Sequence, residues 1–416
     1  MSGGQPRRLL DGVKVIDFTH IFAGPLATQA LGDMGADVIK IERLGSGDAA
    51  RTYGQGVDDD DMGGSFLALN RNKRSVEVDL KQAAGIELVR RLILSADVVV
   101  QNFRLGTLAK WGLDYDQMSA VKPELIYCSM TGFGHVGSMA TKAANDLAVQ
   151  AYSSLLSFTG EPGGGPVRCG TAIADFSAGL YATIGILGAL IQRQRSGQGQ
   201  HVHTSMLESQ VSIMNYFFAD YWLKGIVPKP LGTANRLGIP NQAFPTRDGW
   251  VVISNANESM WRRCCVGLGI PEVGDDPRFE SLARRYENAE ALIATVTAAT
   301  SAQTTAECLA GLEAEGVSCA PVNSLDQVAG DPQLEAVGAF IEVPRGDGGQ
   351  ARVVATPVHY SASPLDVRLG VPTLGQHTGE VLRQLGLTDQ ELADLVAAGA
   401  IGPVEPAPAA GERVRP

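Results

Sequence analysis

No CxxC pair or other metal-ligand spacing joins the six cysteines of this 416-residue chain: Cys128, Cys169, Cys264, Cys265, Cys308 and Cys319. That excludes a zinc ribbon and a CxxC redox centre and leaves reduced core thiols. Histidine is scarce too, at six residues. His201 and His203 can share one face of a strand, but without Cys, Asp or Glu companions at metal-site spacing no metal is expected. The longest strongly apolar run, Ala178 to Ile191, falls short of the ~20 residues that cross a bilayer. The opening MSGGQPRR is polar and lacks the apolar core of a signal peptide, so a cytoplasmic protein is expected. Positive charge is outnumbered, with 34 Lys and Arg against 45 Asp and Glu and a net charge of −11. Neither nucleic acid nor an anionic membrane is therefore an expected partner.

Phosphate fingerprints are incomplete as well. Gly45-Ser46-Gly47 lacks the third glycine of a dinucleotide-binding turn and reads as ordinary turn glycines. Gly160-Glu161-Pro162-Gly163-Gly164-Gly165-Pro166 has two prolines and no following Lys-Ser pair, which favours a mobile turn or flap over a P-loop.

What the chain does have is length, glycine and alternation. Its length suggests two or three domains at ~150 residues each, and its 49 glycines favour many tight turns. Strand-like runs at 13–18, 37–41, 75–80, 96–101 and 125–130 alternate with helical patterns at 26–34, 83–94 and 147–156. Such alternation predicts an α/β fold: a large, doubly wound, Rossmann-like parallel sheet, with ligands beyond the carboxyl ends of its strands. The segments after these strands, 19–25, 42–48, 102–106 and 131–134, are expected to rim one crevice. The domain expectation is a large domain over 1–210, a linker over 211–230 and a smaller α/β domain over 231–322. The chain then returns to the large domain over 323–402 and ends in a Pro- and Ala-rich disordered tail over 403–416. The acidic run Asp58 to Asp61 reads as a solvated loop.

Two features carry chemistry. Asp175, in Thr171-Ala172-Ile173-Ala174-Asp175 ahead of a strongly apolar helical pattern, reads as an N-cap. The same place also suits a nucleophile, kept ionised by helix amides and dipole in an apolar site. Cations gather despite the acidic total: Asn70-Arg71-Asn72-Lys73-Arg74 before a strand, Lys81 after it, and Lys40, Arg43, Arg104, Lys110 and Lys142 near strand ends. Converging cations bind a polyphosphate; scattered surface charge is the plainer reading of any single one.

The ordered blocks LDGVKVIDFTHIFAGPLATQALGDMGADVIKIERLGSGDAAR, NRNKRSVEVDL, ADVVVQNFR, TGFG and GTAIADFSAG resemble the family III CoA-transferases, the CaiB/BaiF family that includes formyl-CoA transferases. The resemblance runs from about Leu10 to Leu387. It implies a CoA-transferase moving CoA from an acyl-CoA donor to a free carboxylic acid, with CoA as substrate and product and no metal or redox cofactor. It also implies an interlocked homodimer. Asp175 matches the family's catalytic aspartate. His20, Phe22 and Ala23 match the first CoA-contacting loop, and Arg43 an arginine against the nucleotide. Val78 to Lys81, Asn102, Phe103, Arg104 and Lys110 match further CoA contacts, as do Lys142, Asn145 and Asp146. The implied route passes through an acyl-aspartyl anhydride and an aspartyl-CoA thioester.

Two departures narrow the choice. Formyl-CoA transferases carry Gln where Phe22 stands and a run of glycines where this chain reads Gly232 to Gly238. The related α-methylacyl-CoA racemases place His before Asp where this chain has Asn145-Asp146, and an amide is no proton-transfer base. A racemase-like enzyme and a non-catalytic acyl-CoA-binding protein stand as the alternatives.

Overall fold

The computed structural model describes residues 8–53, 62–254 and 258–405. The acidic run 58–61, the first seven residues and the tail from 406 lie outside the described residues. Two compact units divide the chain, and both contain separated segments. The larger comprises 1–154, 168–226 and 336–416; the smaller comprises 155–167 and 227–335.

The larger unit begins β1 (Lys14–Asp17), α1 (Ala23–Asp33), β2 (Asp37–Arg43), α2 (Gly64–Leu69), β3 (Lys73–Val78), α3 (Ala83–Leu94) and β4 (Val98–Gln101). It continues with α4 (Tyr115–Val121), β5 (Ile126–Thr131) and α5 (Asp146–Tyr152). After α6 (Leu155–Phe158), which belongs to the smaller unit, come α7 (Ile173–Ser196), β6 (His201–Ser205), α8 (Met206–Ile213) and α9 (Asn215–Lys224). The six strands form one parallel sheet in the order β3-β2-β1-β4-β5-β6. This is the doubly wound order whose direction reverses between β1 and β4, and ligands bind outside the strand ends at that switch.

Period-two patterning explains why the sheet is covered on both faces. Val15, Val38, Val98, Val100, Ile126 and Cys128 point to one side, into a core shared with α1 and α7. Ile16, Ile39, Ile41, Val76, Val99 and Tyr127 point to the other and pack on α3 and α4. α7 spans 24 residues, longer than the apolar run in the sequence suggests. By length and composition it could cross a membrane, with mean hydropathy 1.5, yet half of that window is buried in the protein.

The smaller unit holds a three-stranded antiparallel sheet of β7 (Asn241–Pro245), β8 (Trp250–Ser254) and β9 (Ser318–Pro321) in that order. With it come α10 (Glu258–Gly267), α11 (Leu282–Glu287), α12 (Ala289–Ser301), α13 (Thr305–Ala314) and α14 (Leu325–Ala329). Phe244, Val251, Ile253, Trp261, Leu292 and Leu312 form its core. After α15 (Pro332–Ala336), the returning chain adds the hairpin β10 (Phe340–Pro344) and β11 (Gln350–Val354), then α16 (Thr378–Gln384) and α17 (Asp389–Ala397). This return is tied to β3. Asp79 N–H donates to Ala400 O at 2.9 Å and His377 N–H to Ser75 O at 3.0 Å.

Three boundaries differ from the sequence reading. The expected linker 211–230 is helical through Lys224, because aromatic residues 216–222 at helical spacing continue the pattern to the αL cap at Gly225. Residues 323–335 stay with the smaller unit, and 155–167 join it as well. A helical pattern read continuously over 147–156 ends at Tyr152, and Ser154 turns at φ 76° before α6.

Candidate active site

A crevice of about 370 Å³ opens at the switch between β1 and β4. Its walls carry His20, Ile21 and Ala23 from after β1, Asn102, Phe103 and Arg104 from after β4, and Thr131 and Gly132 from the carboxyl end of β5. Lys142 and Asn145 ahead of α5, Asp175 on α7 and Met206 on α8 complete it. A neighbouring pocket of about 250 Å³ is lined by Phe18, Ile41, Arg43, Val78, Leu80, Lys81, Phe103 and Trp111. Phe103 borders both, with its ring 5.3 Å from that of His20 and 6.5 Å from that of Phe18.

The first loop is held from beneath by buried charge. Lys40 Nζ donates to Thr19 O at 2.6 Å and pairs with Asp48 at 2.9 Å. Asp48 Oδ1 accepts from Ile21 N–H at 3.1 Å. Asp17 accepts from the hydroxyls of Thr19 and Thr28 at 2.5 and 2.7 Å and pairs with Lys73 at 3.2 Å. Asn102 closes the switch by accepting from His20 N–H at 3.0 Å and donating to His20 O at 2.9 Å. Ile21 is thereby kept at φ 70°, costly for a β-branched residue and tolerated only where its surroundings over-determine it. Burial drives the pKa of His20 below its ordinary value, against the pull of Asp48, so the ring is neutral at physiological pH.

The gathered cations therefore separate. Burial opposes the charge on Lys40, but Asp48, Asp17 and Glu42 outweigh it and raise its pKa; in Lys73 burial wins and lowers it to about 8. Arg71 clasps Asp33 with two bonds of 3.1 and 2.6 Å, and Arg74 clasps Asp37 with bonds of 2.9 and 2.6 Å. These four side chains are committed to the fold, a correction to the reading of 70–74 and Lys40 as phosphate ligands. Arg43 and Lys81 line the smaller pocket, and Arg104 and Lys142 the larger. Lys110 is exposed on the short turn Leu108–Trp111 beside them.

Asp175 is the third residue of α7, whose N-cap is Ala172 without a side-chain hydrogen bond. It is not the cap that its sequence position suggests. Nor do the helix amides and dipole hold its pKa down: burial, with a smaller push from Asp146, raises it from 3.8 to about 7. Desolvation outweighs the helix terminus here. Asp146 proves not to line the crevice. Its Oδ1 accepts from Ala174 N–H at 2.8 Å and its Oδ2 from Gln150 Nε2 at 2.5 Å. Asn145 does line the crevice, but its Oδ1 caps α5 through Ala148 N–H at 2.9 Å. Phe22 stands outside the crevice wall, its ring 6.0 Å from that of Phe176. Gly132 is obligatory, because an added Cβ would run into Ala144 Cβ.

A model of CoA-transferase family III matches residues 10–378. The chain belongs to CoA-transferase family III. It is 38% identical to a succinate–glutarate CoA-transferase of Agrobacterium fabrum, over 90% of this chain and 95% of that one. It is 35% identical to a succinyl-CoA:glutarate CoA-transferase of Homo sapiens, over 94% and 90% of the two chains. A crystal structure of a CaiB/BaiF family protein from Brucella suis matches with TM-score 0.84 at 37% identity, covering 91% of this chain and 100% of that one. The family III fold and CoA-transferase activity expected from the quoted blocks are thus both found.

Sequence reasoning missed Met206 and Trp111 on the pocket walls and the buried charge under the first loop, whereas Thr131 stands on the crevice wall as expected of segment 131–134. Trp111 had a signal, since it adjoins Lys110. His201 and His203 do stand on one strand, and His135 joins them with its ring 4.2 Å from that of His203. Among the described residues no group of three or more His, Cys, Asp or Glu is arranged to hold a metal ion.

Proposed function

We propose that Asp175 is the covalent nucleophile of CoA exchange between carboxylic acids. The observation that carries this is a carboxyl on the crevice wall whose pKa burial raises to about 7. A carboxylate of that basicity is a stronger nucleophile than an ordinary aspartate and is still substantially ionised at neutral pH. It attacks the donor thioester carbonyl, and the C–S bond breaks to give an acyl-aspartyl anhydride and CoA thiolate. The thiolate attacks the aspartyl carbonyl and expels the donor acid as its carboxylate. The acceptor carboxylate then attacks the aspartyl-CoA thioester and releases thiolate. Attack by that thiolate on the acceptor's acyl carbonyl yields the new acyl-CoA and frees Asp175. One thioester replaces another, so no external energy source enters.

CoA is the substrate and product that binds here, and no metal or redox cofactor takes part. Arg43, Lys81, Arg104 and Lys110 suit its phosphates, Phe103 and Trp111 its adenine, and His20, Ala23 and Asn102 its pantetheine arm. Succinyl-CoA and a five-carbon dicarboxylate are the pair to test first. The two relatives above carry succinate and glutarate in their names, and Lys142 and Arg104 on the crevice wall offer a cation to a second carboxylate. The active form in this reading is an interlocked homodimer in the cytoplasm; exposed Trp222 and Leu223 on α9, at 76% and 79%, support association with a second copy.

The test is Asp175→Asn. Acyl-CoA exchange read by mass spectrometry should collapse while acyl-CoA still binds, and hydroxylamine trapping of wild type with succinyl-CoA should modify Asp175 alone. Substantial turnover in a verified, undeamidated Asp175→Asn protein sinks the mechanism. Turnover confined to isotope exchange at the α-carbon would favour a racemase, and inertness towards every acyl-CoA and acid pair would favour a binding protein.

A further inference from the structure

The helix that presents Asp175 has no cap of its own. Ala172 occupies the N-cap, and its methyl cannot accept a hydrogen bond. The missing acceptor comes from another element: Asp146, the first residue of α5, takes Ala174 N–H on Oδ1 at 2.8 Å. Its second oxygen is gripped by Gln150, one turn along α5, at 2.5 Å. Gln150 is fully buried, and its other contacts fix its orientation. Oε1 accepts from Cys169 N–H at 2.9 Å, which leaves Nε2 to donate to Asp146 and to Thr171 O at 3.4 Å. Thus two side chains of α5 hold the chain at Cys169, Thr171 and Ala174, on the approach to the nucleophile.

We propose that Asp146, clamped by Gln150, is the positioning residue of the nucleophile: it caps α7 from outside and so sets where the Asp175 carboxylate stands in the crevice. This rests on the reading of Asp175 as nucleophile. The polarity of the network makes aspartate specific at 146. With Asn there, its Nδ2 faces Gln150 Nε2, and flipping the Gln150 amide only moves the donor–donor conflict to Cys169 N–H. The same carboxylate adds to the rise in Asp175's pKa. The other charged or titratable groups on the crevice wall are His20 from the β1 loop, Arg104 from the β4 loop and Lys142 ahead of α5. Asp146 thus orients the nucleophile while opposing its ionisation, which keeps it basic.

The experiment compares the full-length wild type with Asp146→Asn, Gln150→Leu and Asp175→Asn. Its readouts are kcat and KM for succinyl-CoA with glutarate, or for whichever acyl-CoA and dicarboxylate pair the wild type exchanges fastest, across pH. Asp146→Asn should lower kcat roughly ten- to a hundredfold, the scale of a misplaced reacting group, with KM for acyl-CoA within about twofold. Its acid limb should move to lower pH. Gln150→Leu keeps the charge of Asp146, so kcat should fall with the acid limb in place. A merely structural pair would lower the melting temperature without that split. Wild-type kcat with an unmoved acid limb in folded Asp146→Asn overturns the proposal, and if that variant fails to fold, wild-type kcat in folded Gln150→Leu overturns it instead. If Asp175→Asn remains active, the nucleophile reading fails. If it is dead while Asp146→Asn is normal, only the positioning role fails.

Discussion

Replacing Asp175 by Asn should stabilise the folded protein at neutral and alkaline pH. The carboxyl's pKa lies at about 7 in the fold against an ordinary 3.8, so it binds its proton more tightly folded than unfolded. Stability is therefore lost as pH rises from 3.8 towards 7 and is level above that. The full shift corresponds to roughly 4 kcal/mol, and solvent reaching this half-buried group reduces that to roughly 2 to 4 kcal/mol. An Asn side chain has nearly the same volume and no charge to desolvate. It also removes no cap, because Asp146 fills that role. Urea unfolding of both proteins at about pH 5.5 and about pH 8.5 should show an Asn advantage that grows by roughly 1 to 2 kcal/mol between the two conditions. A variant equal to or weaker than wild type at the higher pH, with no pH dependence in the difference, would refute the claim that burial governs this carboxylate. Stability given up at one residue and recovered on its neutralisation is what an active-site nucleophile should show.

Two further outcomes test the walls of the site. Arg43→Ala should weaken acyl-CoA binding by roughly 1 to 3 kcal/mol, the worth of a hydrogen bond to a charged group, and unchanged affinity by calorimetry removes Arg43 from the site. Gly132→Ala should cost roughly 1 to 3 kcal/mol of stability through the collision with Ala144, and adding Ala144→Gly should restore most of it; a denaturation midpoint that the second change leaves unmoved breaks the explanation.

The strands and the crevice were legible because both follow from local pattern. Apolar residues two apart mark β1 to β5, and a doubly wound sheet has its ligand site beyond the strand ends, where His20, Asn102 and Arg104 were sought and are found. The helix α3 lies where it was read, at 83–94. Boundaries were less legible where composition misleads. The two prolines at 228 and 230 do mark the passage between units, but residues 211–224 before them are helical on either side of a turn at Met214, since aromatic residues serve a helix as well as a linker flank. The excursion of 155–167 into the smaller unit has no local signal, because membership of a unit depends on contacts distant in sequence.

Charge was the least legible property, for a physical reason. A lysine in sequence is a cation of unknown surroundings, and its use depends on whether a carboxylate reaches it during folding. Lys40 and Lys81 both read in the sequence as cations near strand ends, yet Lys40 stands in the middle of β2. Lys40 points inward to Asp48 and the carbonyl of Thr19, whereas Lys81 lies three residues beyond the end of β3 and faces the pocket. The buried cation shapes the loop that the exposed one would serve. Breaking a buried pair leaves an uncompensated charge and costs ~3–5 kcal/mol, more than any one surface cation returns in binding. The strain at Ile21 is sustained by that network. The acidic net charge and the cationic crevice are therefore compatible: carboxylates of 17, 33, 37 and 48 are spent inside or against the sheet on the cations that build the fold. That leaves Arg43, Lys81, Arg104 and Lys142 at the mouths where a polyphosphate can meet them.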